Sequence, residues 1–465
     1  MPNHPAFLKV QHNHIQNQAG ETVILHGVGL GGWMNMENFI AGFSANEDAF
    51  RRVVLRTLGK EKADFLFDRY MDYFFKEEDA SYIQSLGLNL VRLPFNYRHF
   101  EDDMNPFVLK ETGFKHLDRV IGLCAEHNLY SILDLHAAPG CQNQDWHSDN
   151  PSMGAFFWQH KHFQDRAVWL WEKIAERYRG NPWVAGYNLL NEPSDPSGTV
   201  IEPFYQRIVE AVRSIDSDHI IFLDGNRYSQ DFSGFGSPFS NVVYAIHHYP
   251  APGFIDGGPY PGVSRGEYCD KSVLHKNFIH ACKYMLENQA PIWVGEFGPV
   301  YIGSQDEDAM RYQLLEDQLS LYQELGASWS IWTYKDLGLQ GIVNLRPNSK
   351  WVQKIQPILD KKAVLGTDAW GGLDKHIRHI MEPIEGAFTE FFPHYQPFPF
   401  DAKWQINRLV RHILVAEPIN EDFYPLLYDL DFDEIDQLMA SFKFHNCCPR
   451  EHLCQILIKE KNIAL

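Results

Sequence analysis

The sequence predicts an α/β protein whose main part is a (β/α)8 TIM barrel, and three observations favour this fold class. Eight short apolar runs alternate with amphipathic segments from residue 22 to residue 334. Alternating strands and helices are typical of a parallel sheet, and eight repeats match a barrel better than a doubly wound sheet. Long segments also follow several runs, as expected where loops build a binding site at one end of a barrel.

The predicted strands are short apolar runs rich in β-branched and aromatic residues. They are TVILHGVGL (22–30), LNLVRLP (88–94), LYSILDLHA (129–137), VAGYNLLNEP (184–193), HIIFLDG (219–225), NVVYAIHHY (241–249), PIWVGEFGP (291–299) and SWSIWTY (328–334). Between them lie segments with helical periodicity, such as HLDRVIGLCAEHN (116–128) and AVWLWEKIAERYRG (167–180). Ahead of the first strand, residues 6–23 are predicted to form a short N-terminal hairpin at the bottom of the barrel.

The pattern changes after Trp351, where the remaining periodic segments are helical. These segments are HIRHIMEPIEGAFTEFF, KWQINRLVRHILVAE and FDEIDQLMASFKFH. We therefore predict two parts: residues 1–354 form the barrel with its hairpin, and residues 355–465 form a C-terminal helical extension whose role the sequence leaves open.

Composition and charge restrict the classes of partner. The 465 residues include 41 basic and 60 acidic side chains, and the net charge of −19 disfavours binding to nucleic acid. Twelve Trp and twenty-one Tyr residues fit either large cores or flat apolar faces for sugars. No apolar stretch reaches the length of a transmembrane helix. The oligomeric state stays open.

The amino terminus and the cysteines bear on localisation. MPNHPAFLKVQHNH lacks the charged and apolar regions of a signal peptide, which predicts a cytoplasmic protein, although a processed secreted form stays open. The seven cysteines show no CxxC spacing, and we expect free thiols in a reducing compartment.

Polar residues end most of the predicted strands, where the active site of a barrel forms. They are Arg92, His136, Asn191, Glu192, His247, Tyr249, Glu296 and Trp332. A single buried carboxylate could be a structural ion pair. So many polar residues at the same end of successive strands indicate a functional site instead.

The pair Glu192 and Glu296 suggests glycoside hydrolysis. One carboxyl must protonate the departing oxygen, so we expect its pKa to be raised, while the other stays ionised and attacks the anomeric carbon or activates water. Arg92 would keep Glu296 ionised. Asn191 offers an amide to a sugar hydroxyl. His247 and Tyr249 share one face of a strand and can donate hydrogen bonds into the same pocket. Trp332 can form an apolar surface under a pyranose ring.

The run GVGLGG (27–32) also matches the glycine pattern of a dinucleotide-binding turn, with Glu47 and Asp48 about 20 positions further on. That interpretation needs a helix to start near Gly32. The following WMNMENF has no capping residue followed by an apolar period. We therefore expect the glycines to let the chain turn at the barrel mouth, with Trp33 at its rim.

Six segments together resemble glycoside hydrolase family 5, a group of retaining (β/α)8 glycosidases. They are NLVRLP, LDLHAAPGCQN, YNLLNEP, IHHYP, WVGEFGP and IWTYK, in this order. The resemblance covers residues 20–335 and implies that Glu192 is the acid/base and Glu296 the nucleophile. It implies a sugar pocket made by the other polar residues above, and neither a metal nor an organic cofactor. A retaining enzyme places its two carboxyl groups about 5 to 5.5 Å apart.

Within the family, GVGLGGWMNMENF and the loop LDLHAAPGCQNQ resemble the exo-β-1,3-glucanase and β-glucosidase branch. This likeness implies that Glu37 and Asn143 contact the terminal sugar of a β-glucoside or β-glucan oligosaccharide, and that the enzyme is exo-acting. An endo-acting β-1,4-glucanase and a glycolipid β-glycosidase stay open as alternatives. The long insertion after Glu37 and the helical extension depart from the branch. A noncatalytic binding protein is disfavoured because both glutamates are present.

Overall fold

The computed structural model describes residues 6–367, 370 and 372–463, so the outer ends of both predicted parts lie outside the described residues. Eight parallel strands close a barrel, with β8 pairing β1. The strands are β1 (His26–Gly29), β2 (Leu90–Asn96), β3 (Tyr130–Ala137), β4 (Val184–Asn188), β5 (Ile220–Asp224), β6 (Val242–His248), β7 (Ile292–Phe297) and β8 (Ser328–Ile331). The predicted (β/α)8 barrel is confirmed.

Helices surround the barrel between most strands. They are α1 (Glu47–Phe74) and α2 (Glu77–Ser85) before β2, α3 (Phe114–Glu126) before β3, α4 (Lys161–Tyr178) before β4, α5 (Ile201–Ile215) before β5, α6 (Lys271–Ala281) and α7 (Lys283–Asn288) before β7, α8 (Gln305–Glu324) before β8 and α9 (Lys350–Leu365) after it. The connection from β5 to β6 carries the one-turn helix Asn226–Ser229 in place of a long one.

Several strands are shorter than the apolar runs that predicted them. The fourth run reaches residue 193, whereas β4 ends at Asn188, and the eighth reaches residue 334, whereas β8 ends at Ile331. Parallel strands covered on both faces read as continuous apolar sequence, so the run itself does not mark where pairing stops. As a result Glu192 and Trp332 stand in the loops just beyond the strand ends.

The N-terminal hairpin closes the bottom of the barrel, as predicted. The strands Lys9–Gln11 and His14–Gln16 pair antiparallel. Leu8 and Ile15 pack in one cluster with Leu90 and Ile220, the first residues of β2 and β5. The mouth at the opposite end is therefore the end left to loops.

The C-terminal extension contains α10 (Arg378–Phe391), α11 (Ala402–Asn407), a π-helical turn (Arg408–Leu414), the one-turn helix Ala416–Ile419, α12 (Phe423–Leu427), α13 (Phe432–Met439) and α14 (Glu451–Ile463). It is not wholly helical, because the strand Cys447–Pro449 pairs antiparallel with Val343–Leu345. The predicted boundary between residues 354 and 355 falls inside α9.

The extension packs against the insertion that follows β1. The rings of Phe50 and Phe423 lie 4.9 Å apart, and those of Phe65 and Phe432 lie 5.1 Å apart. One apolar core runs from the barrel through α1 into α12 and α13. The two segments that the sequence could not relate to each other therefore form one layer beside the barrel.

All seven cysteines are free thiols, as predicted. Among the described helices, none combines the length and the apolar character that a bilayer crossing requires.

Candidate active site

The two predicted glutamates face each other across the barrel mouth. Glu296 lies in β7, where the pairing with β6 shifts register. Glu192 lies beyond β4 with a φ of 45°, and its backbone N–H donates to Asp224 Oδ2 at 3.0 Å. Such a left-handed conformation is uncommon for a residue with a Cβ and is often found at functional sites. One carboxylate oxygen of Glu192 and one of Glu296 lie within 4.8 Å of each other.

Glu296 is held by donors on both oxygens. Arg92 Nη1 donates to Oε1 at 2.6 Å, and the Tyr249 hydroxyl donates to Oε2 at 3.0 Å. His247 Nδ1 lies 3.5 Å from the same Oε2. The side chains of Arg92, His247 and Tyr249 thus meet around Glu296.

Glu192 is held by two histidines. His247 Nδ1 lies 2.7 Å from Oε1, and His147 Nε2 lies 3.0 Å from Oε2. Burial alone would raise the pKa of Glu192, but the hydrogen bonds from His147 and His247 outweigh burial and hold that pKa well below its usual range. The expectation that one carboxyl of the pair has a raised pKa is therefore wrong for Glu192.

The same contact has the opposite effect on the pKa of His147, whose Nε2 lies 3.0 Å from the Glu192 carboxylate. Burial disfavours a charged His147, yet the Glu192 carboxylate raises the pKa of His147 to about 9. A carboxyl and an imidazole that interact this strongly titrate as a pair. Glu192 and His147 together thus hold one proton over the neutral range.

Arg92 is completely buried and lies at the centre of the hydrogen-bond network below the two glutamates. Its Nη2 donates to Asn191 Oδ1 at 2.7 Å and lies 3.0 Å from Asp134 Oδ2. Asp134 in turn accepts from His136 Nδ1 at 2.8 Å, and the Asn191 Nδ2 lies 3.3 Å from His136 Nε2. These contacts fix His136 and Asn191 in one network below the glutamates.

Trp332 lies at the mouth, where its ring stacks on His136 with centroids 5.3 Å apart. Two glycines of the GVGLGG run make room for it. A Cβ on Gly29 would lie 2.6 Å from the Trp332 ring, and one on Gly31 would lie 2.4 Å from it. The glycines thus leave room for the indole of Trp332. Because they end a strand of a closed barrel and not of a doubly wound sheet, the dinucleotide interpretation is wrong.

Glu37 lies 3% exposed in the segment after β1. Burial, followed by the charges of Glu296 and Glu192, raises its pKa well above the usual range. Its Oε1 has no hydrogen-bond partner among the described residues, and His136 Nε2 is 3.7 Å away. Glu37 therefore faces the glutamate pair with an unused polar oxygen.

Trp33 does not lie at the rim as predicted. It is fully buried, and its Nε1 donates to the Met71 carbonyl in α1 at 3.0 Å. The insertion after Glu37 covers this tryptophan. Its large apolar ring therefore serves packing between the β1 loop and α1.

Asn143 is buried in the loop after β3 and contacts the backbone of Glu192. Its Nδ2 donates to the Glu192 carbonyl at 3.0 Å and lies 2.9 Å from His147 Nε2. Its Oδ1 accepts from the Asp145 N–H at 3.0 Å. Asn143 therefore holds the Glu192 segment and His147 in place.

Sequence reasoning missed two residues at the mouth. His147 lies in the loop that had been singled out for Asn143, but no spacing distinguished it from other histidines. Trp370 comes from the C-terminal extension, and its ring lies 5.1 Å from that of Tyr249 and 6.2 Å from that of Phe39. It thus connects the Glu37 segment to the loop after β6.

Three groups of the site have the spacing of metal ligands, because Glu192, His247 and Glu296 each bring one ligand atom within 4.8 Å of the others. All four oxygens of the two carboxylates, however, already contact a nitrogen or hydroxyl donor. A cation would have to displace these donors. The arrangement is that of a hydrogen-bonded carboxyl pair.

A buried pair of glutamates across the mouth of a (β/α)8 barrel, one of them held by an arginine and a tyrosine, defines a glycosidase of the barrel class. A model of the cellulase family, glycosyl hydrolase family 5, matches residues 59–338, more than half of the chain. The chain belongs to glycoside hydrolase family 5 and is an O-glycosyl hydrolase that acts on carbohydrates, which confirms the resemblance seen in the motifs.

Relatives of several specificities match this chain. It is 44% identical over 474 residues to a beta-xylosidase of Phanerodontia chrysosporium, with 99% of both chains covered. It is 27% identical over 307 residues to Endoglucanase C of Acetivibrio thermocellus, covering 58% of this chain and 87% of that relative. It is 28% identical over 356 residues to a probable glucan 1,3-beta-glucosidase A of Emericella nidulans, covering 68% and 86%. The match to the first relative covers nearly the whole chain and therefore includes the extension.

Proposed function

We propose that the protein is a retaining, exo-acting β-glycosidase that releases one terminal glucosyl or xylosyl residue per turnover. The observation that carries the proposal is that one carboxylate oxygen of Glu192 lies within 4.8 Å of one carboxylate oxygen of Glu296. An inverting enzyme needs room for a water between its carboxyl groups and separates them by about 6.5 to 9.5 Å. The close approach favours direct attack by a carboxylate.

In this mechanism Glu296 attacks the anomeric carbon, and the bond to the departing oxygen breaks as Glu192 protonates that oxygen. The sugar is then held as an ester of Glu296. Glu192 next takes a proton from water, which attacks the anomeric carbon and frees Glu296. Arg92 and Tyr249 hold the nucleophile in place through their hydrogen bonds to its two oxygens.

The exo character rests on what surrounds Glu37. A buried carboxyl with an unused oxygen can accept or donate hydrogen bonds to the hydroxyls of a terminal sugar. Trp370 and the insertion after β1 enclose the same side of the mouth. A longer chain entering past Glu37 would have to displace them.

Product analysis on a panel of substrates would distinguish glucose from xylose as the released sugar. The panel contains nitrophenyl β-glycosides, β-1,3-linked and β-1,4-linked oligosaccharides and glucosylated lipids. We expect monosaccharide products from the first time point, with the β-anomer formed first in proton NMR. The similarity to a beta-xylosidase over the whole chain supports the inclusion of xylosides. Oligosaccharide products of mixed length would support endo action, and an α-anomer formed first would contradict the retaining mechanism.

The glutamate assignments predict the outcome of two substitutions. Glu192→Gln and Glu296→Gln should each lower kcat on a nitrophenyl glycoside by at least about a hundredfold. Glu192→Gln loses both the proton donor and the base that activates water, and Glu296→Gln loses the nucleophile. Glu78→Gln, at an exposed position of α2, is the control and should keep the parent rate. Activity within tenfold of the parent in both site variants, with their circular dichroism unchanged, would refute the assignments.

A further inference from the structure

The C-terminal extension reaches the loop that carries His147. Arg408 Nε and Nη2 donate to the two oxygens of Asp145 at 2.5 and 2.8 Å. Both side chains are buried, and a bidentate pair of this kind fixes orientation as well as distance. Asp145 stands two residues from His147 in the chain, so the extension grips this loop beside the acid/base.

Arg408 is itself held rigidly. Its guanidinium lies 4.2 Å from the ring centroid of Phe400 and 4.0 Å from that of Trp404. Arg408 also begins the π-helical turn, and one turn later His412 lies 5.6 Å, ring to ring, from Trp146. π-helical turns are rare in proteins, and those that occur are often found at functional sites. Two consecutive loop residues, Asp145 and Trp146, are thus gripped by one turn of the extension.

The loop passes this restraint on to the catalytic carboxyl. Asp145 N–H donates to Asn143 Oδ1, and Asn143 Nδ2 contacts both His147 Nε2 and the Glu192 carbonyl. The His147 carbonyl accepts from Asn35 Nδ2 at 3.0 Å. A shift of Asp145 would therefore move the imidazole that lies 3.0 Å from Glu192 Oε2.

We propose that Arg408 is a positioning residue of the active site, which acts through Asp145 and the loop after β3 to keep His147 on the acid/base carboxyl of Glu192. The extension is then part of the catalytic apparatus. This inference rests on the proposed function of Glu192.

The effect on pH dependence follows from the groups that face His147. These are Glu192 beyond β4, Glu37 beyond β1, His136 on β3, Tyr228 beyond β5 and Asp145 in the same loop. The carboxylates among them favour the imidazolium. With His147 in contact, the pair keeps its proton up to about pH 9. Without the contact, the imidazole no longer shares this proton with Glu192, so activity is lost at lower pH.

The test compares Arg408→Met with the parent on two substrates. A dinitrophenyl glycoside has a leaving group that needs little protonation, whereas an alkyl glycoside of the same sugar needs it fully. We expect kcat/KM to fall by about tenfold or more on the alkyl glycoside and by less than about threefold on the dinitrophenyl glycoside. The alkaline limb of kcat/KM should move to lower pH by at least about one unit.

The controls separate positioning from general destabilisation. Arg408→Lys should recover part of the loss, and His147→Asn should reproduce the pattern, with no further loss in the double variant. Arg56→Met removes another ion pair between α1 and the extension, with Glu421, and should leave both substrates and the pH profile unchanged. If Arg408→Met does not fold, Asp145→Asn takes its place.

Equal losses on both substrates with an unchanged alkaline limb would overturn the proposal and leave Arg408 a structural residue. Additive losses in the double variant would show that Arg408 does not act through His147. A parent that cleaves neither substrate would instead contradict the proposed function, so the two failures are distinguishable.

Discussion

At the scale of single residues, hydrogen bonds fix the positions of the side chains in the site. Each oxygen of Glu192 and Glu296 has a donor, and Arg92 connects Glu296 to Asn191. Buried polar groups are costly unless partnered. The Oε1 of Glu37 is an exception, as are Asp134 Oδ1 and His247 Nε2, and a ligand hydroxyl gains most where it satisfies a buried polar atom of this kind.

The exception at Glu37 predicts the effect of Glu37→Ala. The variant should have a higher KM and a lower kcat/KM. The loss corresponds to about 1 to 3 kcal/mol of binding free energy, because a terminal sugar loses its hydrogen bonds to the carboxyl. Since burial raises the pKa of Glu37, the neutral Glu37→Gln should retain more activity than Glu37→Ala. The measurements are steady-state kinetics and the product pattern on an oligosaccharide. Unchanged KM and products in Glu37→Ala would make Glu37 a structural residue.

At the scale of elements, β1 and the loop after β8 pack closely because glycines at the end of β1 contact the ring of Trp332. The Trp332 indole lies where side chains on Gly29 and Gly31 would otherwise project. The ring then stacks on His136 from β3. The strand order of the barrel thus determines which tryptophan reaches the mouth, and the small residues of β1 allow it.

A methyl group at residue 31 tests this fit. Gly31→Ala should destabilise the protein by about 1 to 3 kcal/mol through overpacking and should lower kcat/KM as Trp332 shifts. Gly122→Ala is the matched control, because a Cβ there meets no heavy atom within 4 Å and lies inside α3, where alanine favours the helix. Urea denaturation and kinetics on both variants provide the check, and equal stability of the two would contradict the account.

At the scale of the whole molecule, the insertion after β1 and the C-terminal extension act as one support for the mouth. Lys362 of α9 donates to the carbonyls of Asn38 and Phe43 at 3.0 and 2.6 Å, beside Glu37. Arg408 grips the loop after β3 from the same layer. Two sides of the pocket thus depend on residues distant in the chain.

The buried histidines predict how stability varies with pH. Burial lowers the pKa of His26 and His412 to about 4 and that of His248 to about 3. The unfolded chain binds these protons near pH 6.5, so the free energy of unfolding should fall as pH drops from about 6.5 to 4, by up to about 1.4 kcal/mol per unit for each histidine. His147, with a raised pKa of about 9, contributes fully below about 6.5 and loses its contribution as pH rises towards 9.

We therefore expect maximal stability near pH 6 to 7, measured by chemical denaturation across a pH series. His412→Gln should flatten the acid side, whereas His445→Gln, at an exposed position, should not. Equal stability of the parent at pH 5 and pH 6.5 would contradict the prediction.

The sequence by itself determined the barrel and the polar residues that gather at its mouth. Apolar runs of strand length and amphipathic helices are local patterns, and each is written in consecutive residues. The residues that follow such runs are placed at one end by the topology of parallel strands. For this reason Glu192, Glu296 and Arg92 could be named before any coordinates.

The tertiary structure alone decided contacts between distant segments. No local pattern shows that Gly31 faces Trp332, that Trp33 is covered by α1, or that Arg408 binds Asp145. Nor can spacing show that a histidine lies on each oxygen of Glu192 and lowers its pKa. These features depend on three-dimensional packing and on the dielectric and charge around each buried group, which arise only when segments far apart in sequence share one core.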